Sequence, residues 1–404
     1  MPTVVLVGTL DTKADEYAFV RDRLLAAGVS VVVVDVGVLG DAGMPAEVGR
    51  EVVAAAAGVE LGELRAAGDR GAAVTAMARG AAVVVRGLYD DGRLDGALAL
   101  GGTGGTSIAA AAFRELPLGV PKVIVSTAAS GDTSAYVRET DLVLMPSVVD
   151  VAGVNRLSAK ILANAAAAVA GMVLAGPVTT ATDVPLLAAS MFGVTTPAVN
   201  TARARLTELG YEVLVFHMTG VGGRTLESLA GQLAGVLDLT TTELADELVG
   251  GVFSAGPDRL TAAGRAGIPQ VVSVGALDMV NFGPMETVPE KFRDRKLFVH
   301  NPSVTLMRTT PEECAELGRR LTDRLNAATG PTALLLPLKG ISAIAVEGGV
   351  FHDPAADAAL FDAIRGTVDR SVVELVEIDA AINDAQFAEA AADKLNTYLT
   401  KENR

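Results

Sequence analysis

The stretch "ALALGGTGGTSIAAAAF", Ala97–Phe113, sets four glycines within the five residues Gly101–Gly105, between an apolar run and a helix-forming run. A tight turn uses one or two glycines. Four at a strand-to-helix junction point to main chain that a ligand approaches closely. The same order of apolar run, loop and helix-forming run repeats outward along the chain. "TVVLVG" (Thr3–Gly8), "VSVVVVD" (Val29–Asp35), "GALAL" (Gly96–Leu100) and "KVIVST" (Lys122–Thr127) are continuous apolar runs rather than alternating ones. Continuous runs of this length belong to a parallel sheet covered on both faces, and helical runs between them give a doubly wound layer. The fold class expected is α/β, with two doubly wound, mainly parallel, Rossmann-like domains.

The second half restarts the pattern. "LLAASMFGVTTPAVNTARARLTELGYEVLVFH" (Leu186–His217) matches the plan of "VVLVGTLDTKADEYAFVRDRLLAAGVSVVVVD" (Val4–Asp35). Each has an apolar strand, a glycine (Gly8, Gly193), a Thr-rich loop and an amphipathic helix stopped by a glycine (Gly28, Gly210). Each then has a second strand ending on a polar residue, Asp35 or His217. "AGPVTTATDVP" (Ala175–Pro185) reads as the linker, so the expected domains are residues 1–180 and 181–404.

Composition narrows the function. The chain has 404 residues, half of them hydrophobic, and a net charge of -15, which speaks against a nucleic-acid or anionic-membrane surface. One cysteine, Cys314, supplies neither a disulfide framework nor a thiol pair for a metal, and reads as a packed bystander. The opening "MPTVVLVGTLDTK" is too short in apolar length, and lacks the basic start, for a signal segment. The apolar run "ILANAAAAVAGMVLAG" (Ile161–Gly176) is shorter than a membrane span and carries Asn164. A cytoplasmic location is the expectation.

In open α/β sheets ligands gather at the carboxyl ends of the strands. Three first-half loops fall there: Gly8, Thr9, Asp11, Thr12 and Lys13; then Gly101, Gly102, Thr103, Gly104, Gly105, Thr106 and Ser107; then Ser126, Thr127, Ser130, Gly131 and Asp132. Bare N–H groups, hydroxyls and one lysine suit a polyphosphate, and Asp11 with Asp132 could hold Mg²⁺. Asp35 is placed to accept from ribose hydroxyls. The glycine loop is no Walker A loop, because no Gly-Lys-Ser/Thr closes it, and Ser107 stands where the dinucleotide fingerprint needs a third glycine.

The second half carries all three histidines, His217, His300 and His352, at spacings that match no zinc motif. His217 or His300 paired with Asp278 would make a general base. "FHMTGVGGR", with Gly220, Gly222, Gly223 and the Arg224 fork, suggests a site for a small anionic or carbonyl substrate, which Asp278 and Asn281 could orient. The plainer alternative is that these residues tie loops together.

"GTLDTK", "GGTGGTS", "VSTAASGDTS", "PSVVDVAGVNRLSAKILANAAAAVAGM", "VFHMTGVGGRTLESL" and "HNPSVTLMRTTPEE" resemble a family defined by the ATP-binding inhibitory region of a plant tobamovirus-resistance protein. The resemblance covers nearly the whole chain. It implies two α/β subdomains, a homodimer, and ATP held by the first subdomain; the plant protein appends a barrel domain that this chain lacks. It implies no catalytic activity. Three functions therefore stand open: a Mg-ATP-binding protein, an enzyme of small-molecule metabolism centred on His217, and a protein that sequesters a partner.

Overall fold

The computed structural model describes residues 1–176, 178 and 184–402. The chain divides into two compact units, Met1–Thr180 and Ala181–Arg404. The linker expected over Ala175–Pro185 lies largely outside the described residues.

The first unit holds five strands, β1 (Thr3–Gly8), β2 (Ser30–Asp35), β3 (Gly96–Gly101), β4 (Lys122–Ser126) and β5 (Val143–Pro146), all parallel in the order β2-β1-β3-β4-β5. Successive side chains point to opposite faces. Val4, Leu6, Leu98, Leu100, Val123 and Val125 pack on the helices Ala14–Ala26 and Ser158–Ala175. Val5, Val7, Ala97, Ala99 and Ile124 pack on the helices Arg70–Asp90 and Thr103–Arg114. Both faces are covered, which is why the strands read as unbroken apolar runs. Two helices, Arg70–Asp90 and Ser158–Ala175, are long and apolar enough to cross a membrane by length and composition alone. Met77, Ala81 and Val85 of the first, and Leu162, Ala166 and Val169 of the second, lie in these two cores.

From β1 the chain passes to β2 on one side and returns to place β3 on the other. The β1/β3 boundary is therefore a switch point, where loops diverge and leave a crevice. Tyr17 bridges the two strands at that boundary. Register pairing of β1 with β3 ends at Val7↔Ala99, and there the Tyr17 hydroxyl accepts from Leu100 N at 2.8 Å and donates to Val7 O at 2.6 Å. Burial raises its pKa, so it stays a phenol. A Cβ on Gly8 would fall 2.0 Å from the Tyr17 ring, so Gly8 is a glycine for packing, not for ligand access.

The second unit repeats the plan with one strand more. Strands β6 (Leu186–Met191), β7 (Glu212–His217), β8 (Gly235–Thr240) and β9 (Gln270–Gly275) belong to its main sheet. Between β9 and the rest come β10 (Met279–Phe282), β11 (Leu297–Asn301) and β12 (Val304–Arg308); then β13 (Thr332–Pro337) and β14 (Val373–Ile378) complete the main sheet. That sheet is parallel in the order β14-β13-β9-β8-β6-β7, so its first five strands follow the order of the first unit. The similar segments Val4–Asp35 and Leu186–His217 thus occupy the same place in the two sheets. Gly28 and Gly210, just past the helices of these segments, take φ of 82° and 94° with no atom within 4 Å of a Cβ, so backbone conformation alone demands glycine there.

Strands β10, β12 and β11 form a separate antiparallel sheet. Of the residues expected at a second-half site, Asn281 therefore lies on β10, Asp278 immediately before it, and His300 on β11. The turn between β11 and β12 is closed by Ser303 N donating to Asn301 Oδ1 at 2.8 Å.

Candidate functional site

A cavity of about 650 Å³ opens at the carboxyl ends of the first unit's strands. Thr9, Asp11, Thr12 and Lys13 follow β1, Val36, Val38 and Leu39 follow β2, and Gly101–Gly105 follow β3. Thr127 follows β4 and Asp150 follows β5. Leu64, Asp69, Arg70, Ala73, Val74 and Met77 close the far side. The β1/β3 switch point thus carries the opening, as the strand order requires.

The glycine loop turns directly into the helix Thr103–Arg114, with Gly102 at its N-cap. The N–H groups of Thr103, Gly104 and Gly105 lie in the first turn and have no carbonyl four residues back within the helix. None of the four glycines has positive φ. A Cβ built on Gly101 would meet Gly105 Cα at 3.4 Å, so this one serves close strand–helix packing. On Gly102 it would meet only Thr127 Oγ1 at 3.8 Å, and on Gly105 only Leu100 O at 3.7 Å. On Gly104 it would lie 3.7 Å from Val74 Cγ2 and 3.8 Å from Arg70 Nη2. These are ordinary contacts: the fold accepts a side chain at all three positions, and all three line the cavity.

The other expected residues divide into two groups. Asp11 lines the cavity, but its Oδ2 already accepts from Val38 N at 3.1 Å and Leu39 N at 2.9 Å, leaving Oδ1 for a ligand. Thr9 and Thr12 pair through their hydroxyls at 3.1 Å. Lys13 Nζ donates to Val151 O, which keeps the ammonium at the rim. Thr106 and Ser126 face away: their hydroxyls bond each other at 2.6 Å in the core, and Ser107 Oγ donates back to Thr103 O at 2.9 Å.

Asp35 corrects the ribose expectation. It is 2% exposed, and its oxygens accept from Leu10 N at 3.1 Å, Gly37 N at 2.8 Å and Arg50 Nε at 2.8 Å. It binds the loops after β1 and β2 together beneath the cavity and does not line it. Asp132 corrects the metal pair. It is exposed, accepts from Ser134 N at 2.9 Å, is held below the usual carboxylate pKa by its hydrogen bonds from Ser134, and does not line the cavity either. Ser130 lines a neighbouring depression, and Gly131 lies in an exposed turn. Asp69, Arg70 and Asp150 were missed. The legible signal for two of them was "GDRG" at Gly68–Gly71, where Asp69 caps the helix by accepting from Ala72 N.

In the second unit the expected catalytic trio does not assemble. His217 and His300 are exposed, at the end of β7 and on β11. Asp278 is fully buried and accepts from Ser342 Oγ at 2.8 Å, with its pKa pushed up to about 6 by burial against the pull of Arg308. His217 instead lies against Phe192, ring centres 5.4 Å apart. Among the described residues no three His, Cys, Asp or Glu side chains form a metal cluster.

The anion expected at "FHMTGVGGR" is present, and it is the protein's own. Gly220 N and Gly223 N donate to Glu243 Oε1 at 2.7 and 3.1 Å, while Arg259 Nε donates to Glu243 Oε2 at 2.6 Å. A Cβ on Gly223 would fall 1.9 Å from that carboxylate, and one on Gly222 1.9 Å from His217 O, so here the glycines are fixed by packing. Arg259, 1% exposed, also forks onto Asp238 at 2.5 and 2.7 Å and reaches Glu227 at 3.2 Å. Burial pulls its pKa down, but these three carboxylates outweigh that and hold it well above the usual value. At the switch point of this unit Thr195, Thr240, Thr241 and Thr242 are buried, with Thr195 and Thr240 paired through their hydroxyls at 2.8 Å.

Fold and cavity together define a two-unit α/β protein whose first unit carries a strand-end cavity. The chain belongs to the Uncharacterised protein family (UPF0261): its N-terminal domain profile matches residues 2–177 and its C-terminal domain profile residues 184–399. A UPF0261 protein of Clostridium tetani is 50% identical over 98% of this chain and 99% of its own length. The ToMV resistance protein Tm-1 of Solanum lycopersicum is 40% identical over 97% of this chain, which spans 55% of that protein. Among solved structures, UDP-N-acetylglucosamine 2-epimerase from Rickettsia bellii aligns over 100% of this chain and 98% of its own, at 10% identity and a TM-score of 0.24.

Proposed function

We propose that the first unit is a nucleotide-binding module holding Mg-ATP in the cavity at the β1/β3 switch point. The observation that carries this reading is the set Gly102, Gly104 and Gly105. The fold has room for side chains there, yet the positions facing the cavity and the helix N-terminus are bare. Phosphates would lie against these N–H groups, with Lys13 and Arg70 supplying positive charge. Mg²⁺ fits Asp11 and Asp150, since this ion takes one or two carboxylates and completes its shell with phosphate oxygens and water. The family resemblance points to the same ligand.

The test is a melting scan with Mg-ATP. At a ligand concentration about 100-fold above the dissociation constant, the folded state gains about 2.7 kcal/mol. A transition unmoved by millimolar nucleotide contradicts the reading. An enzyme centred on His217 has less support, because His217 and Asp278 do not meet and the adjoining anion position is occupied by Glu243.

A further inference from the structure

The cavity has two unlike walls. One is aliphatic, built by Val36, Val38, Leu39, Leu64, Val74 and Met77. Such a surface takes a flat ring by burial and offers no side-chain donor, and no acceptor beyond the weak Met77 thioether. Its main chain is largely spent as well. Val36 N donates to Gly8 O at 2.9 Å, Val38 N and Leu39 N donate to Asp11, and Val38 O accepts from Arg65 Nε. The carboxylate at that end, Asp69, already accepts from Ala72 N at 3.0 Å and is exposed, so water rather than a base edge satisfies its remaining oxygen. The other wall is the glycine loop, over which the Arg70 guanidinium stands, with Nη2 3.8 Å from the place of a Cβ on Gly104. Among the described residues the Arg70 side chain makes no hydrogen bond or ion pair, so its fork of donors stands free beside Gly104 in the first turn of the helix Thr103–Arg114.

We infer that this site reads the phosphate chain and the ring plane but not the edge of the base. It takes nucleoside triphosphates as a class, and Arg70 is the residue that grades nucleotides by phosphate number. This rests on the nucleotide-binding reading above. Strong discrimination between related ligands needs buried polar groups left unpaired by the wrong one, and an apolar wall supplies none. A guanidinium fork on phosphate oxygens gives charge-assisted, two-point contact that a nucleotide with fewer phosphates cannot make.

Calorimetry on the full chain with Mg-ATP, Mg-GTP and Mg-AMP, for wild type and Arg70→Ala, decides this. Mg-ATP and Mg-GTP should bind within about tenfold of each other. AMP should bind at least about a hundredfold more weakly than ATP in wild type, and Arg70→Ala should shrink that ratio by about tenfold or more. Arg70 is exposed and unbonded, and an unchanged melting transition without ligand verifies that the variant folds. A preference for either Mg-ATP or Mg-GTP beyond about tenfold overturns the inference and leaves nucleotide binding standing. An ATP-to-AMP ratio indifferent to Arg70→Ala overturns the assignment of Arg70. Absence of binding by all three nucleotides overturns the inference together with the function on which it rests.

Discussion

Glu243→Ala tests whether the second unit is built around an internal anion. The substitution removes the acceptor of three donors: Arg259 Nε at 2.6 Å, Gly220 N at 2.7 Å and Gly223 N at 3.1 Å. All are buried, and Arg259 keeps Asp238 and Glu227, so its charge is not wholly stranded. Leaving buried donors unpaired costs about 1–3 kcal/mol each, and removing one member of a buried ion pair about 3–5 kcal/mol. These terms share groups, so the expected loss is about 4 kcal/mol, a large fraction of a domain stability of about 5–15 kcal/mol. Glu243→Gln keeps one oxygen for the two glycines and sets an amide against Arg259, for roughly half that loss. The assay is urea denaturation, reading the midpoint at unchanged slope. Formate should recover part of the loss in Glu243→Ala, because it is a carboxylate small enough to occupy the vacated place. A loss under about 1 kcal/mol would refute the reasoning and make the Gly220–Gly223 turn independent of Glu243.

Two further perturbations read other parts of the structure. Burial pushes the Asp246 pKa up to about 7, against hydrogen bonds from Asn281 and Phe253. The folded state therefore binds the proton more tightly than the unfolded chain, and the stability tied to it is complete below about pH 4 and is lost as pH rises to about 7, on the order of 4 kcal/mol in all. Asp246→Asn should flatten the fall in stability between pH 5 and pH 7 measured by denaturation, with the Asn281 amide turned so that its unpartnered Oδ1 accepts; an unaltered slope would contradict this. Tyr17→Phe leaves Leu100 N and Val7 O without their partner between β1 and β3, for an expected loss of stability of about 1–3 kcal/mol read from the denaturation midpoint. A change of only a few tenths would show that the hydroxyl is not what closes the β1–β3 pairing.

The layered fold was legible because burial on both faces writes itself as continuous apolar runs, and the second half could be aligned with the first through Gly28 and Gly210, whose positive φ leaves a mark in sequence. The small antiparallel sheet was not read, because β10, at four residues, and β11 and β12, at five each, are short and begin or end in segments that look like site loops. At the site, glycines were visible but their reasons were not. Gly8 yields to the Tyr17 ring, Gly223 to Glu243, while Gly104 leaves ordinary van der Waals room beside Val74 and Arg70, and only contacts distant in sequence separate these cases. Asp35 shows the same limit. A carboxylate at a strand end looks alike whether it faces a ligand or, as here, spends its oxygens on Leu10, Gly37 and Arg50.

The central claim is that the bare backbone at Gly104 exists for a nucleotide rather than for the fold, and calorimetry of Mg-ATP with wild type and Gly104→Val tests it most directly. The Cβ of valine fits beside Val74 and Arg70, so the variant should melt within about 1 kcal/mol of wild type. Its methyls, however, would stand where phosphate meets the first helical turn, and binding should fall at least about a hundredfold. Equal affinity of the two proteins for Mg-ATP would contradict the account and return the glycine loop to a purely structural role.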